Sequence, residues 1–146
     1  ARTWLAANAG ETTEDKAARL WGLHAAGAPE AEVSAARSTL LSAQRADGGW
    51  SQLDTMESDA YATGQVLSVL LSTGHDRQSQ EIQRGVEHLL STQLPDGSWH
   101  VKTRAKPVQV YFDNEDPHGR DQFICGGHGV PPSCDVLLMV RPGPCC

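Results

Sequence analysis

LLSAQRADGGW at Leu40–Trp50 and LLSTQLPDGSW at Leu89–Trp99 are two versions of one phrase. The spacing from Gln44 to Gln93 and from Trp50 to Trp99 is the same 49 residues. Self-similarity at a fixed period of this size is the mark of a repeat architecture, in which one supersecondary unit cannot bury its apolar face alone and stacks on its neighbours. Trp4, 46 residues before Trp50, is read as closing an earlier copy. Repeats are therefore expected over about 1–50 and 51–99, with a third starting after 100, and the chain reads as a slice of a longer array truncated at both ends.

Working outward from the phrases, four helices are expected before residue 95. Thr12 and Asp15 have capping-box spacing ahead of a helix that runs to about Ala26 and is stopped by Gly27. Pro29 suits the first position of a second helix, with Glu30 and Glu32 near its positive end. Val33, Ala36, Leu40 and Ala43 give that helix one apolar stripe. The third, Asp59–Thr73, carries no charge after its first residue and is apolar or small nearly all round, as a helix buried on most faces must be. Gly74 ends it. The fourth, about Arg77–Thr92, returns to an amphipathic pattern through Ile82, Val86, Leu89 and Leu90. Inner, outer, inner, outer is the simplest order for the four.

Composition narrows the class. With 12 basic residues against 18 acidic ones, the formal charge of −6 argues against a nucleic-acid surface, which needs a clustered positive field. No apolar run approaches the roughly 20 residues of a membrane helix, so no transmembrane segment is expected. Ala1–Gly10 carries no readable targeting signal, and the compartment stays open.

The Gln-then-Gly-x-Trp pattern of Gln44/Gly48/Trp50 and Gln93/Gly97/Trp99 resembles the QW repeat of squalene–hopene cyclases, oxidosqualene cyclases and related prenyltransferase-type toroids. The resemblance covers about residues 4–124 and implies an all-α fold, part of an α/α toroid whose inner helices line a cavity and whose outer helices are closed by the QW turns. In those turns the six residues are structural: glycine permits the tight exit, the glutamine amide bonds near the loop and the indole covers the helix end. The resemblance further implies an apolar polyprenoid or triterpenoid ligand, neighbouring repeats of the same parent chain as packing partners and no cofactor. It also implies an intramolecular isomerase that starts cyclisation by protonating an alkene. A DxDD motif supplies that proton in squalene–hopene cyclases, and here Asp59 alone falls loosely at its place. Asp59 is thus the catalytic candidate and Tyr61 the substrate-contact candidate. The competing readings are a carboxylate beside an N-capping Ser58, a half-buried structural tyrosine, and for the whole a noncatalytic toroid that binds a ligand or another protein. Out of its ring, such a slice is expected to expose apolar surface and to associate.

Past Trp99 the pattern breaks. Val108, Val110, Tyr111 and Phe112 form a short β-like run, and Asn114, Asp116, Pro117 and Gly119 a polar turn. Asp121–Ile124 is expected to open another inner helix. Asp113, Glu115, Asp116 and His118 could offer oxygens and an imidazole to a cation, but a solvated turn is the stronger default, and no metal is assigned. Residues 125–146 form an atypical tail rich in Gly, Pro and Cys, in which Cys125, His128, Cys134, Cys145 and Cys146 suggest zinc or disulfides. Cys125–Gly129, written in GC-rich codons and read one base on, gives Ala-Ala-Ala-Thr-Gly, the small-residue opening of an inner helix. The tail is therefore read as frameshifted.

Overall fold

The computed structural model describes residues 2–102, Arg104, and the backbone of 121–125. Five helices come first: α1 (Arg2–Ala7), α2 (Thr13–Ala25), α3 (Glu30–Ser42), α4 (Ala60–Ser72) and α5 (Gln80–Thr92). Two strands follow, β1 (Ser98–Lys102) and β2 (Asp121–Cys125). The fold is mostly helical.

Each helix starts and stops for a local reason. At α2, Thr12 Oγ1 accepts the Asp15 N–H while Asp15 Oδ2 accepts the Thr12 N–H, both at 3.1 Å, a complete capping box. Its end is a Schellman turn: Gly27 takes φ +61° and Ala28 N–H reaches back to the Leu23 carbonyl at 3.0 Å. Helix α4 ends the same way, with Gly74 at φ +81° and His75 N–H on the Leu70 carbonyl at 2.9 Å. Pro29 is the N-cap of α3 rather than its first residue, one position earlier than expected. Helix α5 begins at Gln80, three residues later than the pattern suggests. Asp76 turns the chain by accepting the Gln78 N–H, and Ser79 then caps Ile82 N–H at 3.4 Å.

Helix α3 packs on α2, α5 on α4, and α2 on α4, so two helical hairpins join through their first members. This matches the division of character in the sequence. Nine of the thirteen residues of α4 are buried, while α5 buries only the stripe Ile82, Gly85, His88 and Leu89. The core runs continuously from Ala17, Leu20 and Leu23 of α2 through Val33, Ala36 and Leu40 of α3 to Val66, Leu67 and Leu70 of α4 and Leu89 of α5. Trp50 fills its centre with no exposed surface. Gly85 lets α5 press in: a Cβ there would lie 2.9 Å from Leu67 and 3.0 Å from the Trp50 ring.

Two expectations are corrected here. Asp121–Ile124 does not open a helix; it pairs antiparallel with β1, in the register Ser98↔Cys125, Trp99↔Ile124, His100↔Phe123, Val101↔Gln122 and Lys102↔Asp121. Phe and Ile fit a pleated surface well, and the open edge of β1 supplies the partner that decides between helix and strand. Trp4, expected to close an earlier copy, lies within α1 and is 67% exposed, unlike Trp50 at 0% and Trp99 at 2%. The β-like run Val108–Phe112, the cluster Asp113, Glu115, Asp116 and His118, and residues 126–146 lie outside the described residues. Among the described residues no helix is long and apolar enough to cross a membrane.

Candidate functional site

The two quoted phrases form the same turn bond for bond. In the first, Gln44 Nε2 donates to the Gly48 carbonyl at 2.8 Å, and Trp50 Nε1 donates to the Leu40 carbonyl at 2.9 Å. In the second, Gln93 Nε2 donates to the Gly97 carbonyl at 2.9 Å and Trp99 Nε1 to the Leu89 carbonyl at 2.8 Å. Gly48 and Gly97 take φ +85° and +87°, and Asp47 and Asp96 each accept a backbone N–H two residues on. Each indole thus closes the open carbonyl end of the preceding helix, while the glutamine amide holds the loop. The glutamine and tryptophan side chains of both turns are thus engaged with the backbone, a structural role.

The loop leaving the first turn carries the chain to Asp59. Trp50 O accepts the Asp59 N–H at 3.0 Å, and Thr63 Oγ1, fully buried, accepts the Trp50 N–H at 3.0 Å, which locks the start of α4 against the turn. Asp59, not Ser58, is the N-cap: its Oδ1 accepts the Ala62 N–H at 2.9 Å. Ser58 instead donates to Asp47 at 3.0 Å. The other Asp59 oxygen accepts from Gln52 Nε2 at 3.1 Å.

Gln52, which no motif or spacing singles out, is the hub of this corner. Its side-chain amide also donates to the Lys102 carbonyl at 2.8 Å, its Oε1 accepts the Arg104 N–H at 3.2 Å, and its own carbonyl accepts the Thr13 N–H at 3.3 Å. Arg104 in turn reaches Glu14 of α2. One buried glutamine therefore ties α2, α4 and β1 around the Asp59 carboxyl.

Burial pushes that carboxyl above its ordinary value, against the opposing pull of the bonds from Ala62 and Gln52. Tyr61, two residues on, is 42% exposed, as is much of Trp21 on α2 at 57%. The neighbouring helices α2 and α4 each present one aromatic ring to solvent. Among the described residues no group of three His, Cys, Asp or Glu side chains is arranged to hold a metal ion.

A second polar cluster sits where α5 crosses the first turn. His88 is 7% exposed, with Nδ1 3.8 Å from Asp47 Oδ2. Its Nε2 is buried without a hydrogen-bond partner, pressed so close that a Cβ on Gly49 would lie 2.8 Å away. Burial works to raise the Asp47 carboxyl, but the bonds from Gly49 N–H and Ser58 and the charge of His88 outweigh it and hold it below its ordinary value. This imidazole has no room for a substrate and serves the α5 contact.

Comparison with known proteins finds similarity over about half of the chain. Human lanosterol synthase is 40% identical over 80 residues, 47% of this chain. Mouse lanosterol synthase is 38% identical over 84 residues, 50% of this chain. The chain spans 11% of the length of either synthase. No protein-family model matches it. Among solved structures, native alpha-2-macroglobulin from Escherichia coli, from domain MG7 to the C-terminus, superposes with a TM-score of 0.48 at 26% identity, over 62% of this chain and 17% of that one. About half of the chain is therefore related to a terpenoid cyclase.

Proposed function

We propose that this chain is a section of a terpenoid-cyclase-like α/α toroid, in which α2 and α4 are inner helices, α3 and α5 outer ones, and Gln44–Trp50 and Gln93–Trp99 are QW turns. The whole protein holds an apolar polyprenoid or triterpenoid against its inner helices. The observation that carries the reading is the kinship of half the chain to lanosterol synthases, on hairpins that join through α2 and α4. The all-round apolar character of α4 and the exposed rings of Trp21 and Tyr61 support it.

In the catalytic form of this proposal the protein is an isomerase and Asp59 is its acid. The Asp59 proton passes to an alkene carbon of the polyene, the neighbouring carbon becomes cationic, the next double bond attacks it to close a ring, and a proton leaves at the end. The raised carboxyl at the head of α4 supports this role. The noncatalytic alternative is a toroid that binds a ligand or a protein. It is favoured by one observation: both Asp59 oxygens are engaged with N–H donors that fix a helix start.

Two measurements separate the readings. Squalene in mixed micelles should change the tryptophan emission of this chain saturably, and Trp21→Phe should remove most of the change; a linear, unsaturable response would end the ligand reading. The complete gene product should then convert a polyene to cyclised product, resolved by mass spectrometry, and Asp59→Asn should abolish it. Binding without product leaves the noncatalytic toroid, and equal product from both forms removes Asp59 from the chemistry.

A further inference from the structure

The side-chain amide of Gln52 is satisfied in one orientation only. Its nitrogen donates to the Asp59 carboxyl at 3.1 Å and to the Lys102 carbonyl at 2.8 Å, while its Oε1 accepts the backbone N–H of Arg104 at 3.2 Å. A carbonyl only accepts and a backbone N–H only donates. Turned over, the amide would set oxygen against the Lys102 carbonyl and nitrogen against the Arg104 N–H, two repulsive contacts at a buried place. The backbone is fixed as well: the Gln52 carbonyl accepts the Thr13 N–H at 3.3 Å, and Thr13 Oγ1 donates to the Ser51 carbonyl at 2.6 Å. Gln52 therefore meets Asp59 as a donor, and cannot present its oxygen to accept a bond from the protonated acid. Charges on the surrounding elements are paired or exposed. Arg104 engages Glu14 of α2, Lys16 of α2 lies 4.0 Å from Asp54 of the loop, Asp15 is held by Thr12, and Glu57 and Lys102 are exposed.

We infer that Gln52 is a positioning residue for Asp59: the backbone where β1 ends locks its amide as a donor, and the Asp59 proton is thereby coupled to the exit of β1. Donation to an ionised Asp59 pushes electron density onto Oε1, which then holds the Arg104 N–H more strongly; protonating Asp59 weakens both bonds. Such coupling is reciprocal, so whatever moves the backbone at Arg104 resets the acid. Burial raises the Asp59 carboxyl, and the donors, Ala62 N–H first and the Gln52 side chain after it, oppose that rise. The consequence for turnover, that the strand exit regulates the acid, rests on the catalytic form of the proposed function. The coupling itself needs no substrate.

The test is an NMR titration of the full chain without substrate, from about pH 3 to about pH 8. In the natural chain the Asp59 carboxyl carbon, the Gln52 side-chain amide and the Arg104 backbone amide should move together at one midpoint. The step at the two amides should vanish in Asp59→Asn and persist in Glu14→Gln. Gln52→Leu, which removes the donor, should raise the Asp59 midpoint by about one unit while the amide spectrum of α2 to α5 stays in place. Amides that stay still while Asp59 titrates, or that follow Glu14 instead, overturn the inference. So does a folded Gln52→Leu whose Asp59 midpoint is unchanged. Should that variant not fold, the three resonances of the natural chain decide alone. Failure of the proposed function reads differently: a complete gene product that yields no cyclised product ends the acid role of Asp59 and leaves the coupled titration standing, whereas an uncoupled titration removes Gln52 and leaves the toroid and its acid.

Discussion

Gly48 and Gly27 share a left-handed backbone but not a neighbourhood, and the difference fixes what each tolerates. Gly27 has nothing within 4 Å of a built Cβ, so Gly27→Ala should cost only the conformational strain, about 1–2 kcal/mol. Gly48→Ala meets the Arg84 backbone as well and should exceed that, about 3 kcal/mol or more once strain and clash combine. Denaturant unfolding of the two variants gives the order, and equal losses would show that α5 yields easily at this point. Asp59 allows a test by pH. Its unfolded value is the ordinary 3.8 and its folded value is higher, so its contribution to stability is present in acid and lost as pH rises through the folded value. Asp15, held low by its bonds with Thr12, and Asp47 act oppositely, losing stability as pH falls through their depressed values. The stability of the natural chain minus that of Asp59→Asn should therefore shrink from pH 3 to pH 7. A difference that grows over this range would contradict a raised carboxyl.

At the scale of elements, the indoles of Trp50 and Trp99 hold both a helix end and a piece of core. Trp50→Ala and Trp99→Ala should each cost about 3–5 kcal/mol, and Trp4→Ala, exposed on α1, well under 1. These ends and starts were the legible part of the chain. Thr12 with Asp15, Gly27, Gly74 and the doubled phrase are local signals, and local bonds satisfy them. What could not be read depends on partners far along the chain. The strand Asp121–Cys125 exists because β1 offers it an edge, and Gln52 matters because residues 39 to 52 positions away bring their backbones to it. Neither leaves a period in the sequence. Asp59 was legible as a helix-start carboxylate, but its place as the cap itself, with Ser58 turned to Asp47, follows from the loop closing on Trp50.

For the whole molecule, far-UV circular dichroism of residues 1–124 should be predominantly helical with a minor strand contribution; a spectrum dominated by sheet would be incompatible with the five helices and one short ribbon of the described residues. The deeper consequence lies in Gly85. It belongs to the second hairpin, yet it seats against both Leu67 of its own hairpin and Trp50 at the end of the first, while Arg84 beside it grips the first turn's carbonyls. Neither hairpin then has a complete interior alone. In a linear array of coupled units, such shared contacts set how many melt together. The chain should lose its two hairpins in one thermal transition, with amides of α3 and α5 exchanging hydrogen at a common opening free energy. Enlarging Gly85 to Leu should uncouple them, so that α4–α5 opens while α2–α3 still protects its amides. The atom missing from one glycine adds a second seam to the α2–α4 contact that joins the two hairpins.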